Sequence, residues 1–222
     1  MPTLADLLSR ISFLSAMPAV VGILLTGIVL VVSREWHLDV LALILQYFCV
    51  VLLLSRLTQI EVAAVKGLIG WMICMVFYLT ERRAGETEQD SMDKSIEPSA
   101  QSRRWMISAR ASFSLLASLM TTVVAYTAAL RIPLPEVPDD ISLACYLLAG
   151  LGLLMAGMSQ SPIRIAMGLL TFLSGFDLFF VVLEPSLAVA GLLGVVSFLV
   201  ALTASFLRAT ELDTPAVEAE SI

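Results

Sequence analysis

Long runs of apolar residues separated by short polar intervals dominate the sequence. A helix of about 20 mostly apolar residues crosses the hydrocarbon core of a bilayer, which is about 30 Å thick. Windows of this kind predict seven transmembrane helices, at residues 11–32, 38–54, 57–79, 107–130, 141–158, 163–183 and 187–207. Glu61 and Lys66 interrupt the third window, which leaves open whether residues 57–79 cross the whole bilayer. The pattern predicts an all-α, polytopic membrane helix bundle.

Two polar segments divide the chain. Residues 81–104 are nearly charge-balanced and almost without aliphatic side chains, so they cannot build a core and we expect a mobile loop. The tail from residue 209 is acidic and contains Pro215, and we expect it to be disordered. The predicted organisation is a three-helix group at 1–80, a polar loop at 81–104, a four-helix group at 105–208 and an acidic tail at 209–222.

Composition narrows the function classes. Hydrophobic residues make up 59% of the 222 residues and charged residues 14%, which excludes an ordinary soluble domain. One histidine and three scattered cysteines exclude a Cys-x-x-Cys pair, a zinc cluster and a haem held by two histidines of this chain. We expect no metal and no cofactor. The net charge of −6 comes mostly from the loop and the tail, and we infer no nucleic-acid partner.

The distribution of lysine and arginine predicts the orientation, because these residues collect on the cytoplasmic side. With seven crossings, one side holds Arg34, Arg82, Arg83, Lys94, Arg103, Arg104, Arg110, Arg164 and Arg208, and the other holds Arg10, Arg56, Lys66 and Arg131. Because nine of these residues lie on one side and four on the other, we predict that the amino terminus is outside and that the central loop and the carboxy terminus are cytoplasmic. We expect a multi-pass protein of the inner (plasma) membrane.

Asp177 is the main candidate for a functional side chain. An acid within a transmembrane helix costs about 2.5–3.5 kcal/mol on insertion scales and often marks an ion or proton path. Thr171, Ser174 and Asp177 recur at a spacing of three, which places them on one helix face. This stripe is the candidate proton or ion path. The alternative is structural, with Asp177 protonated or bonded to a hydroxyl within about two turns of the outer interface.

Lys66 and Glu61 are secondary candidates. They lie five residues apart, so on a helix they do not face each other as a three- or four-residue pair does. We interpret both as interfacial residues whose side chains snorkel to the membrane surface.

Small residues recur at helical spacing in two late helices. Such stripes let helix backbones approach closely. We expect them to pack within the chain rather than to form a homodimer face. They are Gly152 and Ala156 in the fifth helix, and Gly194, Ser197, Ala201 and Ala204 in the seventh.

Residues 158–181 read Met-Ser-Gln-Ser-Pro-Ile-Arg-Ile-Ala-Met-Gly-Leu-Leu-Thr-Phe-Leu-Ser-Gly-Phe-Asp-Leu-Phe-Phe-Val. The segment resembles the K-type (chain 4L) membrane subunit of proton-pumping NADH:quinone oxidoreductase, and its relatives the antiporter C subunits and the hydrogenase component E. That family has a short cytoplasmic turn of the type Asn-Leu-Ile-Arg, then a helix with Gly, an acidic Glu and a later Asn-Leu. The matching residues are Ile163, Arg164, Gly168 and Leu178, of which Arg164 and Gly168 represent the cytoplasmic turn motif. The resemblance covers roughly residues 141–208.

The sequence departs from that family at its acidic positions. The family's glutamate falls on Leu170 and its asparagine on Asp177, and residues 187–207 contain no acid. Leu170 and Asp177 share nearly the same helix face, about 10.5 Å apart along the axis. A carboxylate is therefore either kept on that face two turns further along, or the proton path is lost and a scaffold remains.

The resemblance implies a non-catalytic membrane subunit of an ion-translocating oxidoreductase, hydrogenase or cation/proton antiporter complex. Its partners would be the lipid bilayer and larger antiporter-like membrane subunits. The alternative is a free-standing small transporter, or a membrane scaffold whose central loop binds a partner. We expect no enzyme activity of the chain itself, because the sequence shows no nucleophile–base pair, metal cluster or phosphate loop.

Overall fold

The computed structural model describes residues 4–33, 35–57, 60–92, 100–132, 137–183 and 186–219. Within them, side chains are described except at 4–17, 56, 60, 86–92, 100–111 and 211–219. The described residues form seven helices and the turns between them, which confirms the predicted all-α bundle. The helices are α1 (Leu4–Val32), α2 (Trp36–Leu57), α3 (Ile60–Met92), α4 (Ala100–Arg131), α5 (Asp139–Met158), α6 (Pro162–Leu183) and α7 (Leu187–Ala219).

Six of these helices, α2 to α7, are long and apolar enough to cross a membrane. The third contains an apolar span at Glu61–Gly85, so the window whose crossing was left open is long enough to span. In α1, the part whose side chains are described, Pro18–Val32, is a shorter apolar stretch. The chain is therefore a multi-pass membrane protein by the length and composition of its helices.

The helices form two layers. One layer contains α1, α2 and α3, and the other contains α5, α6 and α7. Across the layers α1 packs on α5, α2 on α6 and α3 on α7, while α4 lies beside the bundle against α1 and α5. The two helices of each facing pair are four positions apart in the helix order, and successive helices alternate in direction. The two helices of a facing pair therefore run in the same direction. The boundary between the layers is where side chains from the two halves of the chain meet.

The α5–α6 hairpin is the closest helix pair in the bundle. A Cβ atom added at Gly168 would lie 2.6 Å from the backbone N of Ala156 and 2.8 Å from the carbonyl O of Gly152. The two backbones touch because glycine has no side chain to separate them. The predicted small-residue stripe of α5 thus packs within the chain.

The stripe of α7 also packs within the chain. Gly194 lies against Ile69 of α3, and Ser197, Ala201 and Ala204 are buried. The face of α7 that carries these small residues points toward α3 and α6, the two neighbours of α7 in the bundle.

The predicted polar loop and acidic tail are helical over most of their length. Residues 81–92 continue α3, residues 100–104 begin α4, and residues 209–219 continue α7. Glu, Arg, Gln and Ala are good helix formers, and extending an existing helix avoids the cost of nucleation. Arg208 of α7 also lies 3.9 Å from Glu81 of α3, which links the two extensions where they begin. The rest of the predicted loop, 93–99, and residues 220–222 lie outside the described residues.

Candidate functional site

The predicted stripe Thr171, Ser174 and Asp177 lies on the inner face of α6, and all three residues are buried. The hydroxyl of Thr171 donates to the carbonyl O of Met167 at 2.9 Å, and that of Ser174 donates to Leu170 at 2.8 Å. These bonds occupy the hydroxyl protons and leave the oxygen lone pairs free to accept. The stripe therefore presents two hydrogen-bond acceptors and one carboxyl group to the centre of the bundle.

Asp177 forms an ion pair with Lys66 of α3. The Nζ atom of Lys66 donates to Oδ2 of Asp177, and each side chain is only 4% exposed. The interpretation of Lys66 as a snorkelling residue is wrong: Lys66 lies seven residues into α3, and the carboxylate is its partner inside the bundle. Glu61, five residues earlier, is exposed and is not part of this pair.

Tyr47 of α2 packs beside the Lys66–Asp177 pair from a third helix. Its side chain is buried beside Ser174 of α6. Its ring also lies on Gly70 of α3, where an added Cβ would be 2.7 Å from Cδ1 of Tyr47. Gly70 is one turn from Lys66 and Ser174 is one turn from Asp177, so the phenol lies next to the ion pair on both neighbouring helices.

A second ion pair lies near the other end of α6. Nε of Arg164 is 3.4 Å from Oδ2 of Asp39 on α2, and Asp39 is buried. Nη2 of Arg164 donates to the carbonyl O of Leu30 at 2.9 Å and also to that of Ser33. Arg164 thus holds together the end of α1, the start of α2 and the start of α6.

Between the two pairs lies Gln46 of α2, which is buried and whose Oε1 has no hydrogen-bond partner in the described structure. Gln46 follows Asp39 by seven residues, and Thr171 follows Arg164 by seven, so the two lie at similar heights on parallel helices. We call the set between the layers the polar row. Its members are Asp39, Gln46, Tyr47, Lys66, Arg164, Thr171, Ser174 and Asp177.

The row combines two kinds of chemistry. The Lys66–Asp177 pair exists either as ammonium and carboxylate or, after transfer of one proton from Nζ to Oδ2, as amine and carboxylic acid. The net charge is the same in both forms, so the exchange suits an apolar interior in which isolated charges are costly. Hydroxyl, phenol and amide groups next to the pair can accept or relay a hydrogen bond.

The sequence pattern pointed to α6 as the helix that carries the candidate polar stripe, but it did not indicate three of the residues that face this helix. Asp39 lies within the apolar window 38–54 and, like Asp177, is an acid inside a predicted span, which is the signal that makes a residue a functional candidate. Tyr47 and Gln46 gave no such signal, since a lone Tyr or Gln in an apolar helix is common. Leu170, where the family glutamate falls, is fully buried in the apolar core.

The described residues contain no cluster of three or more His, Cys, Asp or Glu side chains that could hold a metal ion. The three cysteines, Cys49, Cys74 and Cys145, are all buried and free. The described side chains of the polar row can pair opposite charges and transfer protons.

Comparison with known proteins identifies no matching family model, no matching curated protein and no matching solved structure. The features on which a function can be argued are therefore the membrane helix bundle and the polar row.

Proposed function

We propose that the chain is a non-catalytic membrane subunit of an ion-translocating complex, in which the polar row takes part in proton transfer. The complex would be a redox-driven oxidoreductase or hydrogenase, or a cation/proton antiporter. The observation that carries the proposal is the buried Lys66–Asp177 pair, whose partners come from different layers of the bundle. A bundle that needed only stability would gain little from such a pair, because desolvation offsets most of its attraction.

The rest of the row supports a path rather than an isolated pair. Asp177 and Arg164 lie 13 residues apart on α6, which is about 20 Å along the helix axis. Buried polar groups lie between them at Ser174 and Thr171, with Tyr47 and Gln46 facing from α2. Polar groups therefore occur along most of the thickness of the hydrocarbon core.

The outer surface is compatible with neighbouring subunits. In α4 and α7 most large apolar side chains in the described part point outward, for example Leu116, Val124, Leu192 and Phe206. Such faces contact lipid or the helices of another membrane chain.

A free-standing transporter is the second candidate. The observation that favours it is that the charged residues lie between two layers of three helices that run in the same directions. Transporters commonly place their sites between such structural repeats.

Purification of tagged protein from its native membrane in mild detergent, with mass spectrometry of the co-purifying chains, distinguishes the two candidates. Antiporter-like or redox subunits in stoichiometric amounts are the result expected of a complex. A monodisperse protein without partners would contradict the complex and favour the transporter.

The role of the row is tested with Asp177→Asn in the assembled complex. We expect ion-coupled activity to fall while assembly is retained, and Asp177→Glu to restore part of the activity because it keeps the carboxyl group. The matched control is Asp139→Asn, which neutralises an exposed acid at the same end of the bundle. Unchanged proton translocation in Asp177→Asn would exclude a carboxylate path.

A further inference from the structure

A cleft with a volume of about 800 Å³ opens at the Arg164 end of the bundle. It lies between the last turns of α1, the side of α4 and the turn that joins α5 to α6. Ser114 of α4 donates to the carbonyl O of Val31 at 3.0 Å and joins α4 to α1 beside the cleft. The cleft is separate from the Lys66–Asp177 pair, which lies near the other end of α6.

The lining of the cleft is amphipathic. Its walls are formed by aliphatic and thioether side chains, including Val29, Leu115 and Met155. Most of its polar residues lie just beyond helix ends: Ser33 and Glu35 after α1, and Ser159 to Ser161 after α5. A site with apolar walls that extend into the membrane and polar groups at the helix ends fits an amphiphile at the bilayer surface.

The polar groups offer both signs of charge. Arg164 lines the cleft, and its side chain is 22% exposed. Ser161 and Arg164, at the start of α6, both line the cleft, and the first backbone N–H groups after Pro162 have no acceptor within the helix, which favours an anion at this end. Glu35 supplies an exposed carboxylate to the lining, two residues after Ser33, whose carbonyl O accepts from Arg164.

We propose that this cleft binds a phospholipid whose head group carries a phosphate and a primary ammonium, as in phosphatidylethanolamine. The phosphate is held by Arg164, Ser161 and the start of α6, and the ammonium by Glu35. The acyl chains lie along α1 and α4. A purely anionic head group would place a net negative charge beside Glu35, and a quaternary ammonium could not donate a hydrogen bond to it.

The test uses the full-length protein purified in detergent. Phosphatidylethanolamine, phosphatidylcholine and phosphatidylglycerol with identical acyl chains are added in turn, and bound lipid is counted by native mass spectrometry. We expect phosphatidylethanolamine to be retained best. Equal retention of all three lipids, or preference for phosphatidylglycerol, would overturn the proposal.

Two variants locate the bound lipid. Leu115→Trp fills the cleft from α4 and should lower retention of phosphatidylethanolamine about tenfold. The matched control is Leu116→Trp. Leu116 is the neighbouring exposed leucine and does not line the cleft, so this variant should retain phosphatidylethanolamine as well as the unsubstituted protein does. Equal loss, or equal retention, in both variants would place the lipid elsewhere.

Glu35→Gln tests the ammonium contact without changing the shape of the cleft. Because Glu35 is exposed, this change leaves the fold intact, so its result does not depend on the tryptophan variants. We expect retention of phosphatidylethanolamine to fall to the level of phosphatidylcholine. An unchanged preference would show that Glu35 does not read the head group and would overturn the assignment.

Discussion

Arg164 and Asp177 carry opposite charges near the two ends of α6, and each pairs with a residue of the other layer. Arg164 pairs with Asp39 of α2, and Asp177 pairs with Lys66 of α3. One helix thus supplies a member of both pairs in the polar row. Because α6 is also held tightly against α5 by its glycines, its charged groups are fixed relative to the rest of the bundle.

The Lys66–Asp177 pair predicts strong energetic coupling. Lys66→Met leaves a carboxylate buried without a partner and should destabilise the protein by about 3–5 kcal/mol. Asp177→Leu should cost a similar amount. The double variant should be more stable than either single variant, since it removes both charges together.

Thermal unfolding in detergent measures this double-mutant cycle. Additive losses in the double variant would contradict a direct pair. Glu61→Gln, a change at an exposed residue five positions from Lys66, is the control and should leave the unfolding temperature unchanged.

Substitutions of the two members of the Arg164–Asp39 pair should lower the stability of the protein by different amounts. Asp39→Asn leaves Arg164 with two carbonyl acceptors and partial contact with water, since its side chain is 22% exposed. Arg164→Met removes three contacts at once and leaves the carboxylate of Asp39 buried. We therefore expect Arg164→Met to lower the unfolding temperature more than Asp39→Asn, and the reverse order would contradict the contacts described.

The α5–α6 contact predicts opposite effects for two glycines. Gly168→Ala puts a methyl group into backbone atoms of α5 and should destabilise the bundle severely. Gly157 has no atom within 4 Å of an added Cβ, so Gly157→Ala should be neutral or stabilise by up to about 1 kcal/mol. Equal unfolding temperatures for the two variants would exclude a close backbone contact.

The orientation derived from the lysine and arginine distribution can be tested by cysteine labelling. Gln160 and Asp139 are exposed at opposite ends of α5. We expect Gln160→Cys to react with an impermeant maleimide from the cytoplasmic side and Asp139→Cys from the outside. The three native cysteines are buried and should stay unlabelled in the folded protein. Labelling from the reversed sides would invert the predicted orientation.

The sequence was sufficient to predict the six helices that are long and apolar enough to cross a membrane, because apolar runs of the required length are local features. It also predicted the stripe of Thr171, Ser174 and Asp177, since residues three apart on a helix share a face whatever surrounds them. Both predictions depend only on residues that are close in sequence.

The pairing of Lys66 with Asp177 was not accessible in this way. The two residues are separated by 111 positions, and only the packing of the layers brings α3 close to α6. The helical extensions of α3 and α7 were missed for a related reason. Hydropathy marks where a span leaves the membrane, whereas the helix itself ends where its hydrogen-bonded backbone stops.

The order of charges along the two layers also specifies how the halves of the chain dock. The first half carries Asp39 at one end and Lys66 toward the other, and the second half carries Arg164 and Asp177 at the matching levels. If one half inserted upside down, Lys66 would meet Arg164 and Asp39 would meet Asp177. Like charges would then face each other in a medium of low polarity, where their repulsion is strong. The relative direction of the two halves is thus specified by these four residues, because only parallel packing pairs each of their charges with an opposite one.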